Sequence, residues 1–176
     1  MKSTTFLKRV LSLIIPLLIL SACTKDDPLM NDTEGTYSLE VTGDVSESWD
    51  GSAIFLQATQ NTGDSGQDGT VLTITLSKDE DNAVIIQLIK METKTFGKGT
   101  YQFIEDPQED DVAMFVTMSL LGSSSAYISI SGSVEITGSS DTMIEGKFDV
   151  DLTNFTESNV TVSGTFKARG STHNLL

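Results

Sequence analysis

Tyr127-Ile128-Ser129-Ile130-Ser131-Gly132-Ser133-Val134-Glu135-Ile136-Thr137 alternates apolar and polar side chains almost without a break. A period of two is the side-chain period of a strand, not of a helix. The alternation puts Ile128, Ile130, Val134 and Ile136 on one face, and Ser129, Ser131, Ser133 and Glu135 on the other. Residues 143–153 repeat the pattern, with Ile144, Phe148, Val150 and Leu152 against Glu145, Lys147, Asp149 and Asp151. Residues 159–168 repeat it again, with Val160, Val162, Phe166 and Ala168 against Thr161, Ser163, Thr165 and Lys167.

Each inward row carries one glycine: Gly132, Gly146 and Gly164. A glycine inside a strand packs nothing of its own and is often covered by a cross-strand aromatic, or it lets the sheet bend. A tight hairpin at Gly138-Ser139-Ser140-Asp141 would set Phe148 opposite Gly132 and Val134 opposite Gly146. That register is the expectation.

The pattern extends towards the N-terminus. Strands are expected at residues 35–42, 52–60, 70–77, 83–91, 99–105 and 112–121, separated by Gly, Asp, Asn and Ser clusters. Residues 43–50, with Trp49, read as a turn or bulge. Val84-Ile85-Ile86-Gln87-Leu88-Ile89 is apolar on both faces, as a covered central strand would be. Convincing helical periodicity is lacking. The expected fold is all-β, an antiparallel β-sandwich of about eight or nine strands, with an up-and-down β-barrel of lipocalin type as the alternative. The β domain spans residues 35–170, with a tail at 171–176.

Few chemistries survive the composition. The sole histidine, His173, lies in the tail, and the sole cysteine is Cys23. A His-centred triad, a Cys/His metal site and a disulfide framework all lack parts. Gly63-Asp64-Ser65-Gly66 matches the tetrapeptide around a serine-protease nucleophile, but it has no histidine to serve as base. Asp64 and Asp68, with Asn61, offer hard oxygens for calcium, which needs 6–8 converging ligands. Solvated loop acids explain the same residues. Asp149 and Asp151 could form a glycosidase-like pair, but charge on an exposed strand face also keeps a sheet soluble. Trp49 and Tyr127 are the candidate ligand-stacking rings. Tyr127 falls on the polar face, and Trp49 is either exposed in its turn or plugs one end of the core. No cofactor or metal is implied.

Val10-Leu11-Ser12-Leu13-Ile14-Ile15-Pro16-Leu17-Leu18-Ile19-Leu20 follows Lys2, Lys8 and Arg9. Eleven helical residues rise about 16 Å, well short of a hydrocarbon core of about 30 Å. With small residues after it, the run reads as an export signal over residues 1–22. Leu20-Ser21-Ala22-Cys23 resembles the lipobox of bacterial lipoproteins. The resemblance implies cleavage before Cys23 and acylation of its thiol and its new amine. Lys25-Asp26-Asp27 resembles the surface-export signal of Bacteroidota lipoproteins, which implies an outer-membrane protein facing outward, with the periplasmic face as the alternative. Residues 23–34 would then be a disordered acylated tether. Asp141-Thr142-Met143 resembles the short O-glycosylation motif of exported Bacteroidota proteins. Residues 125–168 are similar to the Gly-x-aromatic meanders of small Bacteroidota lipoproteins.

Loss of residues 1–22 would leave 154 residues with 8 basic and 25 acidic side chains, a formal charge of −17. That charge repels a phosphate backbone, so nucleic acid is not an expected partner. The expected partners are membrane lipid through Cys23, and a glycan or a protein. The expected role is a non-catalytic binding or structural module. A glycan-acting Asp/Glu enzyme, or a carrier of apolar ligands in a barrel, is the alternative.

Overall fold

The structure is a computed structural model that describes residues 35–61, 68–108, 110–120, 126–156 and 158–171. Nine strands follow in order: β1 (Gly35–Gly43), β2 (Glu47–Asn61), β3 (Asp68–Ser77), β4 (Ala83–Lys90), β5 (Gly99–Gln102), β6 (Ala113–Ser119), β7 (Tyr127–Ser139), β8 (Met143–Thr153) and β9 (Asn159–Gly170). The segment around Trp49, expected as a turn, is the start of β2, which pairs with β1 from Val41↔Glu47 onward.

The expected sandwich is a barrel. Neighbours pair antiparallel from β1 through β4, then β4 with β6, β6 with β7, β7 with β8 and β8 with β9. β9 then returns to β1 along the whole run from Thr36↔Lys167 to Gly43↔Val160, closing eight strands into one ring. A sandwich would leave sheet edges with unpaired N–H and C=O groups, and pairing the first strand to the last removes them.

The ring is thinnest between β6 and β7, where only Thr117↔Ile128 and Met118↔Tyr127 pair. Below them, the Val116 N–H donates to the buried Ser129 hydroxyl at 3.0 Å. β5 supports the rest of β7, from Gly99↔Ile136 to Gln102↔Ser133.

β7 corrects the expected facing of its first residues. A bulge between Ser129 and Ser131 leaves Ile130 without a partner on β8. The extra residue shifts the phase of everything before it by one. Tyr127 and Ser129 therefore point inward, while Ile128 and Ile130 are 42 % and 48 % exposed. Gly132, next to the bulge, has φ +114°, and a Cβ there would lie 2.5 Å from Val150 Cα.

The expected β7–β8 register is also off, by two residues. Gly132 faces Val150, Val134 faces Phe148 and Ile136 faces Gly146. The cause is the turn, which forms at Ser140–Met143 instead of Gly138–Asp141, with the Ser140 N–H donating to the Met143 carbonyl at 2.8 Å. Glycines are covered by aromatics one strand further on: Gly146 faces Phe166, and Phe148 faces Gly164. A Cβ on Gly146 would lie 2.5 Å from Phe166 Cζ, so the ring occupies the space that the glycine leaves.

Side chains from every wall fill the lumen, among them Leu39, Leu72, Ile74, Leu76, Ile86, Leu88, Met114, Met118, Ile136 and Ile144. Trp49 closes one end beneath the Lys78 ammonium, which stands 5.1 Å from its ring. Phe96 closes the other beneath Lys90, at 4.7 Å. The outward row of β8 carries Glu145, Lys147, Asp149 and Asp151, with Lys147 paired to Glu135 and Glu145 to Lys167, each at 3.0 Å. At the β8 wall an apolar inside and a charged outside are the reverse of a transmembrane barrel's arrangement. Among the described residues no helix is long and apolar enough to cross a membrane.

Candidate binding site at the barrel mouth

β1 begins, and β9 ends, at the end of the barrel that Phe96 closes. Here the loop between β4 and β5 crosses the opening. Its residues 92–95 and 97–98 are exposed, and Phe96 alone turns inward, to 1 % exposure. Polar groups hold its backbone in place of a ladder. The Phe96 N–H donates to Gln57 Oε1 on β2 at 3.0 Å, and its carbonyl accepts from the Ser139 hydroxyl on β7 at 3.0 Å. Its ring meets Tyr101 edge-on, with centroids 5.7 Å apart. Lys90 donates to the Thr95 carbonyl at 3.1 Å, and burial pulls its ammonium below the usual lysine value.

Outside this plug lies a pocket of about 340 Å³, open to solvent, formed by β2, the Thr95–Phe96 segment, the β7–β8 turn and the end of β9. Phe55, Phe96 and Ile144 make its apolar floor, and Gln57, Thr95, Ser139, Ser140, Asp141 and Ser171 its polar rim. Gly170 stands between floor and rim, where a Cβ would come within 3.3 Å of both Phe55 Cζ and the Asp141 carbonyl. The Ser171 N–H to Phe55 carbonyl bond (2.8 Å) and the Gly170 N–H to Thr142 carbonyl bond (3.0 Å) fix this wall. A second, shallower groove of about 480 Å³ runs over the outer face beside the Lys167–Glu145 pair, between Thr36, Ser38, Thr137 and Thr165.

The candidate site residues from the sequence lie elsewhere. Trp49 is 2 % exposed, and its Nε1–H donates to Glu47 Oε2 at 2.7 Å. That bond, and then the Lys78 bond, hold the Glu47 carboxyl below the usual range. Tyr127 is 4 % exposed, its hydroxyl 3.2 Å from Ser158 Oγ. Neither ring offers a face to a ligand. Asp151 accepts from Ser131 (2.6 Å) and Thr161 (2.7 Å), which hold its carboxyl low and ionised. It is satisfied by neighbours on its own wall.

Asp68 opens β3, exposed, opposite Asn61. Asp64 lies outside the described residues, as do Leu20, Ser21, Ala22, Cys23, Lys25, Asp26 and Asp27. Among the described residues no three acidic, histidine or cysteine side chains gather as metal ligands. Asp141 is the acidic residue that lines the mouth, and the sequence marked it only as part of a turn and of a glycosylation-like motif. The signal for the other rim residues was weak. Gln57, Thr95 and Ser139 are ordinary strand and loop polars, and only the ring closure brings them together.

Comparison with protein-family models, with curated proteins and with solved structures found no match to this chain.

Proposed function

We propose that this protein is an outer-membrane lipoprotein, anchored through acylated Cys23 and facing outward, that serves as a non-catalytic binding module and binds at the barrel mouth. The observation that carries the binding half is the filled lumen with an open, polar-rimmed pocket outside Phe96. Barrel mouths are places where ligand sites form on this architecture. A carrier would need the lumen for its cargo, but Leu39, Leu72, Ile86 and Met114 already occupy it. The anchoring half rests on Leu20-Ser21-Ala22-Cys23 and on Lys25-Asp26-Asp27. Two or more acyl chains hold a protein on a membrane where one holds it marginally. A tether over residues 23–34 reaches at most about 40 Å, enough for the mouth to meet ligands at or above the bilayer surface.

Cys23→Ala tests the anchor. The variant is expected to leave the membrane fraction and to take up no labelled palmitate. Membrane fractionation and labelling equal to the parent protein would refute it.

A further inference from the structure

The chemistry of the mouth narrows its ligand, on the footing that the mouth is the binding site. The rim offers neutral hydrogen-bonding groups and one charge, Asp141. Basic residues do not line it, the neighbouring Lys90 ammonium is bonded to the Thr95 carbonyl, and the chain as a whole is strongly acidic, all of which disfavours an anion. The Asp141 carboxylate makes none of the described hydrogen bonds or ion pairs, and its oxygens are open as acceptors. Gln57 gives its amide oxygen to Phe96, which leaves the NH₂ as a donor. The Thr95 hydroxyl is a second donor. The Ser139 hydroxyl, committed as a donor to Phe96, can still accept.

An occupant must therefore give hydrogen bonds on the Asp141 side and receive them on the Gln57 side. It must also set an apolar edge against Phe55, which at 7 % is the most accessible residue of the floor, where Gly170 puts no side chain in the way. At about 340 Å³ the pocket is at the small end of ligand sites. We infer that the mouth binds a neutral hydroxylated ring, a saccharide unit whose hydroxyls both donate and accept and whose C–H face is apolar. The unit is either free or the headgroup of a neutral glycolipid.

The test uses the full mature protein in detergent micelles and saturation-transfer NMR. The probes are glucose, galactose, mannose, N-acetylglucosamine, maltose and cellobiose, with glucuronate as the anionic arm. At least one neutral sugar is expected to receive saturation, and glucuronate much less. Gly170→Leu, which fills the space over Phe55, should abolish the signal. Asp141→Asn changes an exposed turn residue and leaves the core intact. It should weaken binding about tenfold, the scale of one hydrogen bond to a charged group. A repeat with vesicles carrying a neutral glycolipid assigns the source: free-sugar binding marks a soluble glycan, and vesicle-only binding marks a headgroup. No transfer to any neutral sugar or glycolipid, or binding unchanged in both variants, overturns the inference. Acylation of Cys23 is measured separately, so the ligand class and the anchor fail independently.

Discussion

At the scale of single residues, Tyr37 is the least comfortable side chain in the barrel. Its hydroxyl is buried and has no hydrogen-bond partner among the described residues. Burial first, and then the charges of Asp50 and Asp79, push its pKa up to about 12 from 10.0. The folded state thus holds this proton more tightly than the unfolded chain does. The contribution to stability is complete below pH 10 and is lost as pH rises towards 12. Urea titrations at pH 9 and pH 11.5 should show the parent protein losing stability between the two, and Tyr37→Phe losing less. At neutral pH the variant should match or exceed the parent by up to about 1 kcal/mol, because it removes an unsatisfied buried donor. A clear loss of stability in Tyr37→Phe at pH 7 would mean that the hydroxyl has a partner. Glycine cover was legible at this scale as a mechanism. Gly146 and Gly164 do sit under or beside Phe166 and Phe148, but across β8–β9 and not β7–β8.

At the scale of elements, β7 shows why alternation alone underdetermines a strand. Tyr127-Ile128-Ser129-Ile130 can present either phase inward, since Tyr and Ser fit a wall where Ser129 caps the Val116 N–H. One bulge at Ile130 chooses the phase. Such a bulge leaves no mark in composition beyond the glycine two residues on. The contrast between two isoleucines of one strand checks it. Ile136→Ala, fully buried, should cost about 2–5 kcal/mol in chemical denaturation. Ile130→Ala, on the outside, should stay within about 0.5 kcal/mol. Equal losses would place both in the lumen and remove the bulge. Most strand positions were readable from period-two runs. The turn at Ser140–Met143 was not, and the one before Glu47 is shorter than the expected 43–50, because Ser, Gly and Asp suit several adjacent turn positions equally.

At the scale of the whole molecule, closure was the feature least visible in the sequence. β1 and β9 lie more than a hundred residues apart, and the alternation within each is the same for a sandwich as for a barrel. Closure also creates the mouth, joining Phe55 and Gln57 on β2 to Asp141 at the β7–β8 turn and Gly170 at the end of β9. The chain enters the barrel at Gly35, opposite Ala53, near that same end. An acylated Cys23 would therefore tie the mouth to a membrane through the short segment that precedes Gly35. The most direct test of that anchoring is the intact mass of the protein extracted from its own membranes. The expected mass is that of residues 23–176 plus a diacylglyceryl thioether and an amide-linked acyl chain on Cys23. A chain that retains residues 1–22, or one cleaved elsewhere with an unmodified Cys23, would contradict it.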